Sequence, residues 1–367
     1  MQNPTIDPSR TQIWTWAVPL GAIALLLAKV LLTQSLYGLW FDALVLITLF
    51  ATVFASVHHA EVIAHRLGEP FGSLVLAAAV TVIEVALIVS VLLAGAEGAN
   101  EIARDTVFAA VMITLNGIVG LCLLSGGLRY HQQGFQIHGA TGALGVIGTL
   151  ATLALILPNF TQAAAGPVYS PMQLFFVGSV SLVLYGLFLF VQTLRHREDF
   201  LDGKQETTDH HSNSPTSTMV ATSALLLIVG LACVIFLAKS LTPTIESAVV
   251  HAGLPSAFVG VVIATIVLFP EGLSALRAAK SNNLQTSLNL ALGSALASIG
   301  MTIPAVAAVS LLIGMPLALG LDPEHIVLLV LSLFVCTLTL ATGRTTVLQG
   351  GLHLVIFTVF LVIAAIP

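Results

Sequence analysis

The chain has 367 residues, of which 57% are hydrophobic and 8% are charged, whereas soluble domains carry about 25% charged residues. This composition excludes a soluble globular domain and indicates a polytopic protein of the lipid bilayer. The formal net charge of −5 provides no basic face for nucleic acid, so no nucleic-acid partner is expected. The three cysteines lie singly in apolar runs, and their spacing predicts neither disulfides nor a cysteine-based zinc site.

Apolar segments long enough to cross a bilayer follow one another along the chain, and each needs about 20 residues as a helix. They lie at 13–33, 39–57, 72–95, 106–128, 138–157, 172–193, 219–239, 255–276, 286–314, 324–342 and 346–366. The gaps between them are short except at 195–218, where charged, Ser, Thr and Pro residues indicate a hydrophilic linker. We therefore predict an all-α polytopic membrane protein with eleven transmembrane helices.

Lysine and arginine fall unequally on the two sides of these spans. The side of the N-terminus and linker holds nine of them: Arg10, Arg66, Arg129, Arg195, Arg197, Lys204, Arg277, Lys280 and Arg344. The other side holds three: Lys29, Arg104 and Lys239. Because cytoplasmic loops carry the excess of basic residues, we expect a bacterial inner-membrane protein with a cytoplasmic N-terminus and linker, and a C-terminus outside.

Without the first span, five spans remain on each side of the linker. An odd number of spans per half gives the halves opposite orientations, which is the topology of an inverted repeat. The predicted division is 1–37 for the N-terminus and first span, 38–194 for one repeat, 195–218 for the cytoplasmic linker and 219–367 for the other repeat. Glu84 and Glu271 each lie in the second span of their repeat, so a pseudo-two-fold axis would bring both glutamates together near the membrane midplane.

A carboxylate at bilayer depth costs about 2.5 to 3.5 kcal/mol on insertion scales, so an acid kept there indicates function. Two carboxyls in one low-dielectric site cannot both ionise cheaply, because desolvation and mutual repulsion oppose it. They are stable when they are protonated or when they bind a cation. Protons and a cation then compete for the same oxygens, which is the requirement for exchange. The alternative is that each glutamate only hydrogen-bonds to a neighbouring helix.

Additional oxygen ligands are needed if the cation is Ca²⁺, because this ion takes about six to eight oxygens. Carbonyl groups freed where Pro270 interrupts its helix could supply some of them. The candidate supporting side chains are Thr81, Thr114, Asn116, Ser294 and Ser298.

The residues around both glutamates resemble the repeat motifs of the calcium/proton antiporter family, within the calcium:cation antiporter superfamily. Residues 72–84 lie over the motif G-G-L-L-N-A-x-x-G-N-A-x-E, which ends at Glu84. Residues 267–271 lie over the second G-N-A-x-E motif, and 293–297 over the G-S-S-x-Q helix that follows it. The resemblance implies that Glu84 and Glu271 bind cations and exchange protons.

The chain departs from these motifs at three side chains. Thr81 and Leu268 occupy the family's asparagine positions, and Ala297 occupies its glutamine position. The stretch HHAEVIAHRLGEPFGSL at 58–74 resembles the bacterial sodium- and calcium-proton antiporter branch in particular. Membership of that branch implies that Na⁺ and K⁺ are substrates as well as Ca²⁺.

The expected function is export of Ca²⁺, together with Na⁺ and K⁺, in exchange for protons by alternating access and without a cofactor. One alternative is a monovalent Na⁺(K⁺)/H⁺ antiporter with little Ca²⁺ activity. A cation channel is a further alternative, although the sequence has no filter-like run of carbonyl groups. An intramembrane hydrolase would need a nucleophile with a base or a metal motif, and the apolar spans carry neither.

Ionisable residues also gather at the predicted cytoplasmic end of the second span. His58, Glu61 and His65 recur at helical spacing, and Glu69 follows them. They could attract cations to an entrance or sense pH, and the competing interpretation is a solvated helix end.

Two further groups of ionisable residues are assigned structural roles. Glu97, Glu101 and Asp105, beside Arg104, are interpreted as a cap for the fourth helix. His353 lies deep in the last apolar run, where we expect it to pack against a neighbour.

Overall fold

The computed structural model describes residues 13–31, 38–67, 71–94, 100–200 and 215–366. Within these ranges the chain is almost entirely helical, as predicted. The α-helices are α1 (Ile13–Leu31), α2 (Leu39–Leu67), α3 (Phe71–Ala94), α4 (Ile102–Met112), α5 (Val119–Tyr130), α6 (Ile137–Ala151), α7 (Pro171–Phe190), α8 (Ser217–His251), α9 (Phe258–Lys280), α10 (Leu284–Ala297), α11 (Ile303–Ile313), α12 (Pro323–Leu340) and α13 (Val347–Ala365).

Two pairs of these helices form continuous rods through a π-helical turn. Ile113–Ile118 joins α4 to α5, and Ser298–Thr302 joins α10 to α11. The described residues therefore contain eleven rods, of which nine are long and apolar enough to cross a membrane over their described length. The other two, α1 and α3, contain the shorter apolar stretches Ile13–Lys29 and Ala78–Leu92. The prediction of eleven transmembrane helices is confirmed.

The internal repeat is visible in details of the helices. The third span of each predicted repeat contains the π-helical turn. The fifth span of each repeat has a glutamine as its third helical residue, and the side chain of this glutamine reaches back to the backbone N–H of the N-cap. Gln173 accepts from Ser170 at 3.0 Å, and Gln349 accepts from Thr346 at 2.8 Å. Such capping boxes satisfy N–H groups that a helix leaves without partners, and their equivalent positions support the repeat.

Most span boundaries lie within a few residues of the predicted ones. The exceptions include two helices that continue through a proline. The predicted interruption at Pro270 is wrong, because α9 runs unbroken from Phe258 to Lys280. The seventh span likewise continues through Pro243 to His251, where the prediction ended it at 239. A proline removes only one N–H donor, and neighbouring helices hold the rest of a membrane helix in place.

Residue contacts group the chain into two compact units. One comprises Met1–Leu87 with Glu206–Thr244, and the other comprises Ile88–Gln205 with Ile245–Pro367. Each unit takes segments from both predicted repeats. The division at the linker describes chain connectivity and stays a prediction.

The rod formed by α4 and α5 is the core of the second unit. In its most apolar window 89% of the residues are buried, compared with 28% for α13. It packs against α9, α10 and α13, and α10 packs in turn against α6. Side chains that project from α9 and α10 towards this rod are therefore held in the interior, away from the lipid-facing surface.

Among the described residues, two small features depart from the all-α prediction. One is a two-residue β-ladder, and the other is an isolated bridge between Val168 and Ala318. Strand β1 (Gln133–Gly134) pairs antiparallel with β2 (Arg344–Thr345). The side-chain amide of Gln133 also donates to the carbonyl of Ala279 at 2.9 Å. These contacts tie the loop after α5 to the ends of α9 and α12, but two-residue strands have no recognisable sequence period.

Candidate cation-binding site

Glu271 lies near the middle of α9, as its fourteenth residue, and its side chain is partly buried. Ser294 of α10 donates a hydrogen bond from its hydroxyl to the Glu271 carboxylate. The preceding residue, Pro270, has no N–H, so the carbonyl of Ile266 lacks its partner four residues later. The carboxylate, the hydroxyl and this carbonyl are oxygen ligands of the type that hard cations prefer.

Hydroxyl side chains continue from Ser294 along the same rod. Ser298 and Thr302 follow at intervals of four residues, and all three residues are buried. The last two begin and end the π-helical turn. The Thr302 hydroxyl has no hydrogen-bond partner within the described ranges. Residues four apart share one face of a helix, so this face of the α10–α11 rod carries a row of hydroxyl oxygens that begins at Ser294, the partner of Glu271.

Gly300 allows another helix to approach this π-helical turn closely. A Cβ atom at Gly300 would lie 2.8 Å from both Cβ and Cγ of Tyr185, which belongs to α7. Tyr185 is itself buried. The glycine therefore fixes how closely α7 and the α10–α11 rod pack beside the hydroxyl row.

Glu84 occupies the corresponding place in α3, since it is also the fourteenth residue of its helix. Glu84 and Thr81 are each 3% exposed and lie three positions apart in the helix, so both are on one buried face. The two glutamates therefore have equivalent positions in their helices. Their joint binding of one cation stays a prediction.

Thr114 and Asn116 lie in the π-helical turn between α4 and α5, and both are fully buried. The Thr114 hydroxyl donates to the carbonyls of Ala110 and Val111, at 2.7 and 3.0 Å. Because a donating hydroxyl keeps its oxygen lone pairs, Thr114 retains the capacity to bind a cation.

Asn116 is engaged with helices far away in sequence. Its amide nitrogen donates to Ser332 Oγ at 2.8 Å, and its oxygen lies 3.2 Å from His353 Nδ1. The other ring nitrogen of His353 lies 3.1 Å from the Thr339 hydroxyl. His353 is therefore a hydrogen-bonded partner of a predicted ligand, where the sequence suggested simple packing. The only sequence signal was a lone histidine in an apolar run.

The residues predicted to form a cytoplasmic entrance have different environments. His58 is 7% exposed and its ring stacks near Trp14, with centroids 6.1 Å apart. Glu61 and His65 are exposed. Glu69 lies outside the described residues, and the entrance role of all four stays a prediction.

The neighbouring His59, which belongs to the same group in the sequence, is buried. Its ring nitrogens lie 3.1 Å from the Thr15 carbonyl and 3.3 Å from the Ser223 hydroxyl. It therefore links α2 to α1 and α8 within the first unit.

The acids near Arg104 do not cap α4 as predicted. Glu101 is the N-cap residue, but its side chain makes no capping hydrogen bond. It accepts instead from the Arg104 guanidinium at 3.2 Å, and Asp105 accepts from the same group at 2.8 Å. The guanidinium has five N–H donors and a full positive charge, so it can bond to both carboxylates at once. Glu97 lies outside the described residues.

The described residues form eleven rods, ten of which belong to the two repeats, with carboxyl and hydroxyl groups buried midway along them; this arrangement defines a secondary transporter rather than an enzyme. The family model described as "Sodium/calcium exchanger protein" matches residues 17–194 and 222–366, so the chain belongs to this family. The match omits the predicted linker.

The sequences of several transporters align with more than half of the chain. The "Putative ionic transporter y4hA" of Sinorhizobium fredii is 53% identical over 99% of this chain and 98% of its own length. The sodium-potassium/proton antiporter ChaA of Escherichia coli is 36% identical over 87% of both chains. The Ca²⁺/H⁺ antiporter ChaA of Bacillus subtilis is 26% identical over 58% of this chain and 60% of its own.

Solved structures share the fold at low sequence identity. A structure of native YfkE superposes with a TM-score of 0.73 and 19% identity, covering 97% of this chain and 100% of that one. A crystal structure of the H⁺/Ca²⁺ exchanger CAX gives a TM-score of 0.69 and 12% identity, covering 95% and 89%. The fold is therefore that of these exchangers.

Proposed function

We propose that the chain is a cation/proton antiporter of the inner membrane that exports Ca²⁺, and also Na⁺ and K⁺, in exchange for protons by alternating access. Glu84 and Glu271 are the carboxyls that bind either the cation or protons. The observation that carries the proposal is the Ser294 hydroxyl bonded to the Glu271 carboxylate midway along α9.

Exchange follows from competition for these oxygens. A carboxyl buried among apolar helices is costly to keep ionised, so it holds a proton unless a cation replaces it. When protons enter from outside and bind, the cation leaves on that side. When protons leave towards the cytoplasm, the oxygens become available for the next cation. Alternating exposure of the site to the two sides then couples inward protons to outward cations.

The serine and threonine hydroxyls would supply further ligands. Ser294 already contacts the Glu271 carboxylate, while Ser298, Thr114 and Asn116 lie on π-helical turns of the two equivalent rods. Thr81 would add a hydroxyl beside Glu84. Hydroxyl and amide oxygens carry no net charge, unlike carboxylates, so these ligands suit both monovalent and divalent cations.

The alternative function is a monovalent Na⁺(K⁺)/H⁺ antiporter with little Ca²⁺ activity. The observation that favours it is the stronger similarity to the sodium-potassium/proton antiporter of E. coli than to the Ca²⁺/H⁺ antiporter of B. subtilis. The side chains Thr81, Leu268 and Ala297, at the family's amide positions, would also reduce the number of ligands for Ca²⁺.

The charge balance differs between these substrates. Two carboxyls carry at most two protons, so exchange for Ca²⁺ moves no net charge. Exchange of two protons for Na⁺ moves one charge, which is worth about 2.3 kcal/mol per 100 mV of membrane potential. Only the monovalent reaction would therefore respond to a change in potential at constant pH gradient.

The test uses everted membrane vesicles that respiration has acidified, with a dye reporting the internal pH. Ca²⁺, Na⁺ and K⁺ are added separately, and each transported ion should release protons in the wild type. Glu271→Gln and Glu84→Gln should abolish the response. Glu198→Gln, which changes an exposed glutamate beyond the sixth span, serves as the matched control.

The pattern of responses separates the functions. A response to Ca²⁺ and to monovalent ions supports the broad antiporter, while a response to Na⁺ or K⁺ alone supports the monovalent alternative. Proton release that persists in either glutamate variant, with protein amounts equal to wild type, would contradict the assigned carboxyls. No response of the wild type to any of the three ions would contradict antiport itself.

A further inference from the structure

At the start of α12, three side chains that are ligands for divalent metals lie together, away from Glu271. They are Asp322, Glu324 and His325, and one ligand atom from each lies within 4.8 Å of the other two. These residues play no part in the proposed exchange. Ligands that each bind one metal ion at about 2.0 to 2.2 Å lie at most about 4.4 Å apart, so small side-chain rotations would close this cluster around an ion.

The histidine supplies the observation that points to a missing ligand. His325 is 8% exposed, and neither of its ring nitrogens has a hydrogen-bond partner within the described ranges. Its Nδ1 lies 4.0 Å from Asp322 Oδ2, too far for a hydrogen bond, so the ring is directed at the acids. A buried polar group without a partner destabilises the fold, and a bound metal would remove that cost.

The Asp322 side chain does not cap α12, although its position at the N-cap predicts that it would. Asp322 is the N-cap residue of α12 and precedes Pro323, but its side chain accepts no hydrogen bond from the first turn of the helix. An aspartate at this position normally accepts from a backbone N–H two or three residues later. Its carboxylate lies instead between Arg104 Nη2, at 3.7 Å, and the His325 ring.

The surrounding structure holds these ligands in place. The Leu321 N–H donates to the Leu155 carbonyl at 2.8 Å, and the Asn159 amide donates to the Leu321 carbonyl at 2.7 Å. The His325 ring packs on Phe108, with centroids 4.9 Å apart. The backbone before Asp322 and the plane of the imidazole are therefore fixed without a metal.

Arg104 does not cancel the negative charge of the cluster. Its guanidinium bonds to Asp105 at 2.8 Å and to Glu101 at 3.2 Å, and lies beyond hydrogen-bond distance of Asp322. One cation thus faces four carboxylates when Glu324 is included. The remaining negative charge favours a divalent cation, and the exposed Asp322 and Glu324 give it access from the surface.

The ligand types select the class of metal. An imidazole nitrogen with two carboxylate oxygens suits Zn²⁺ and related ions such as Co²⁺, while Ca²⁺ and Mg²⁺ prefer oxygen ligands alone. Three protein ligands leave one position of a tetrahedral Zn²⁺ site for water. We propose that Asp322, Glu324 and His325 form a binding site for Zn²⁺-class divalent metals at the start of α12.

The site is separate from the residues of the exchange reaction. Arg104, which lies beside Asp322, bonds to Asp105, and Asp105 packs against Gly260 near the start of α9. Glu271 follows Gly260 by eleven residues. At 1.5 Å per residue this is roughly 16 Å along the helix. By the predicted topology the cluster faces the outside of the cell. The proposal does not rest on the proposed antiport function, and its test measures binding alone.

The experiment titrates Zn²⁺ into the purified, metal-stripped full-length protein in detergent, and uses Co²⁺ absorption as a spectroscopic probe of imidazole and carboxylate ligands. His325→Phe keeps an aromatic ring against Phe108 but removes the nitrogen ligand. We expect this variant to bind one Zn²⁺ fewer than wild type. Asp322→Asn should weaken binding at that site at least tenfold.

His138→Ala is the matched control, because it removes an exposed histidine at the start of α6. It should leave the site unchanged, and a hundredfold excess of Ca²⁺ should not displace the bound metal. Equal Zn²⁺ stoichiometry and affinity in wild type, His325→Phe and Asp322→Asn would overturn the proposal. Displacement by Ca²⁺ would overturn the assigned class of metal. Should His325→Phe elute as aggregate, the titration of Asp322→Asn decides.

Discussion

The contact between Ser294 and Glu271 gives the most specific prediction for transport. Ser294→Ala removes the hydroxyl that donates to the Glu271 carboxylate and also removes one oxygen ligand. A hydrogen bond to a charged group is worth about 1.5 to 3 kcal/mol. Since about 1.4 kcal/mol corresponds to a tenfold change in an equilibrium constant, the carboxylate that binds the cation should lose about tenfold to a hundredfold in affinity.

The assay is the cation concentration that gives half-maximal proton release in everted vesicles. We expect Ser294→Ala to raise this concentration at least tenfold, while the maximal rate at saturating cation changes less. Ser287→Ala is the control, because Ser287 is a buried serine of the same helix, seven residues earlier and roughly 10 Å away along the axis. A value for Ser294→Ala within twofold of wild type, or an equal effect of Ser287→Ala, would refute the assigned role of the hydroxyl.

Three further predictions concern stability, each measured as thermal unfolding of the purified protein in detergent. Gly300→Ala places a Cβ 2.8 Å from Tyr185 and should cost about 1 to 3 kcal/mol of stability. The control Gly293→Ala, on the same rod, meets no atom within 4 Å and should not destabilise the protein. Equal unfolding temperatures of the two variants would contradict the packing at Gly300. Arg104→Ala leaves the buried Asp105 without its cation and should cost about 3 to 5 kcal/mol of stability. The control Arg129→Ala removes an exposed arginine and should cost under about 1 kcal/mol. Similar losses for both variants would be evidence against the buried ion pair. Burial raises the pKa of Tyr169, which donates to the Leu153 carbonyl at 2.5 Å, to about 12. The unfolded chain therefore loses this proton first, near pH 10, and stability should fall as the pH rises from about 10 to 12. Tyr169→Phe should abolish that part of the fall, and an unchanged pH profile would contradict it.

The spans and their number could be predicted because each apolar stretch must satisfy its own backbone hydrogen bonds in lipid, which leaves the helix as the available form. The second-span positions of Glu84 and Glu271 also followed from the order of spans alone. The continuation of α9 through Pro270 could not be predicted. The sequence shows that proline lacks a backbone N–H donor, but it does not show the neighbouring helices that support α9. The capping boxes at Ser170 and Thr346 carry a sequence signature, a glutamine three residues after the cap, which could have revealed the equivalent spans.

The hydrogen-bonded surroundings of the candidate ligands could not be predicted. Asn116 bonds to Ser332 and His353, which are 216 and 237 residues away in the chain. Such partners depend on how α12 and α13 pack against the π-helical turn, and sequence without contacts gives no register for that packing. The ligands Asp322, Glu324 and His325 are neighbours in the sequence, but only the folded structure shows that the His325 ring is buried and, within the described ranges, has no hydrogen-bond partner.

Flux into proteoliposomes shows whether Glu271 exchanges a cation for protons. Purified wild-type protein and Glu271→Gln are reconstituted separately, a pH gradient is imposed with the interior acidic, and a permeant anion collapses the membrane potential. We expect the wild type to accumulate radiolabelled Ca²⁺ or Na⁺ until the gradient is dissipated, and Glu271→Gln to accumulate neither. Gradient-driven uptake by folded Glu271→Gln at a rate comparable with wild type would show that Glu271 does not carry the exchange.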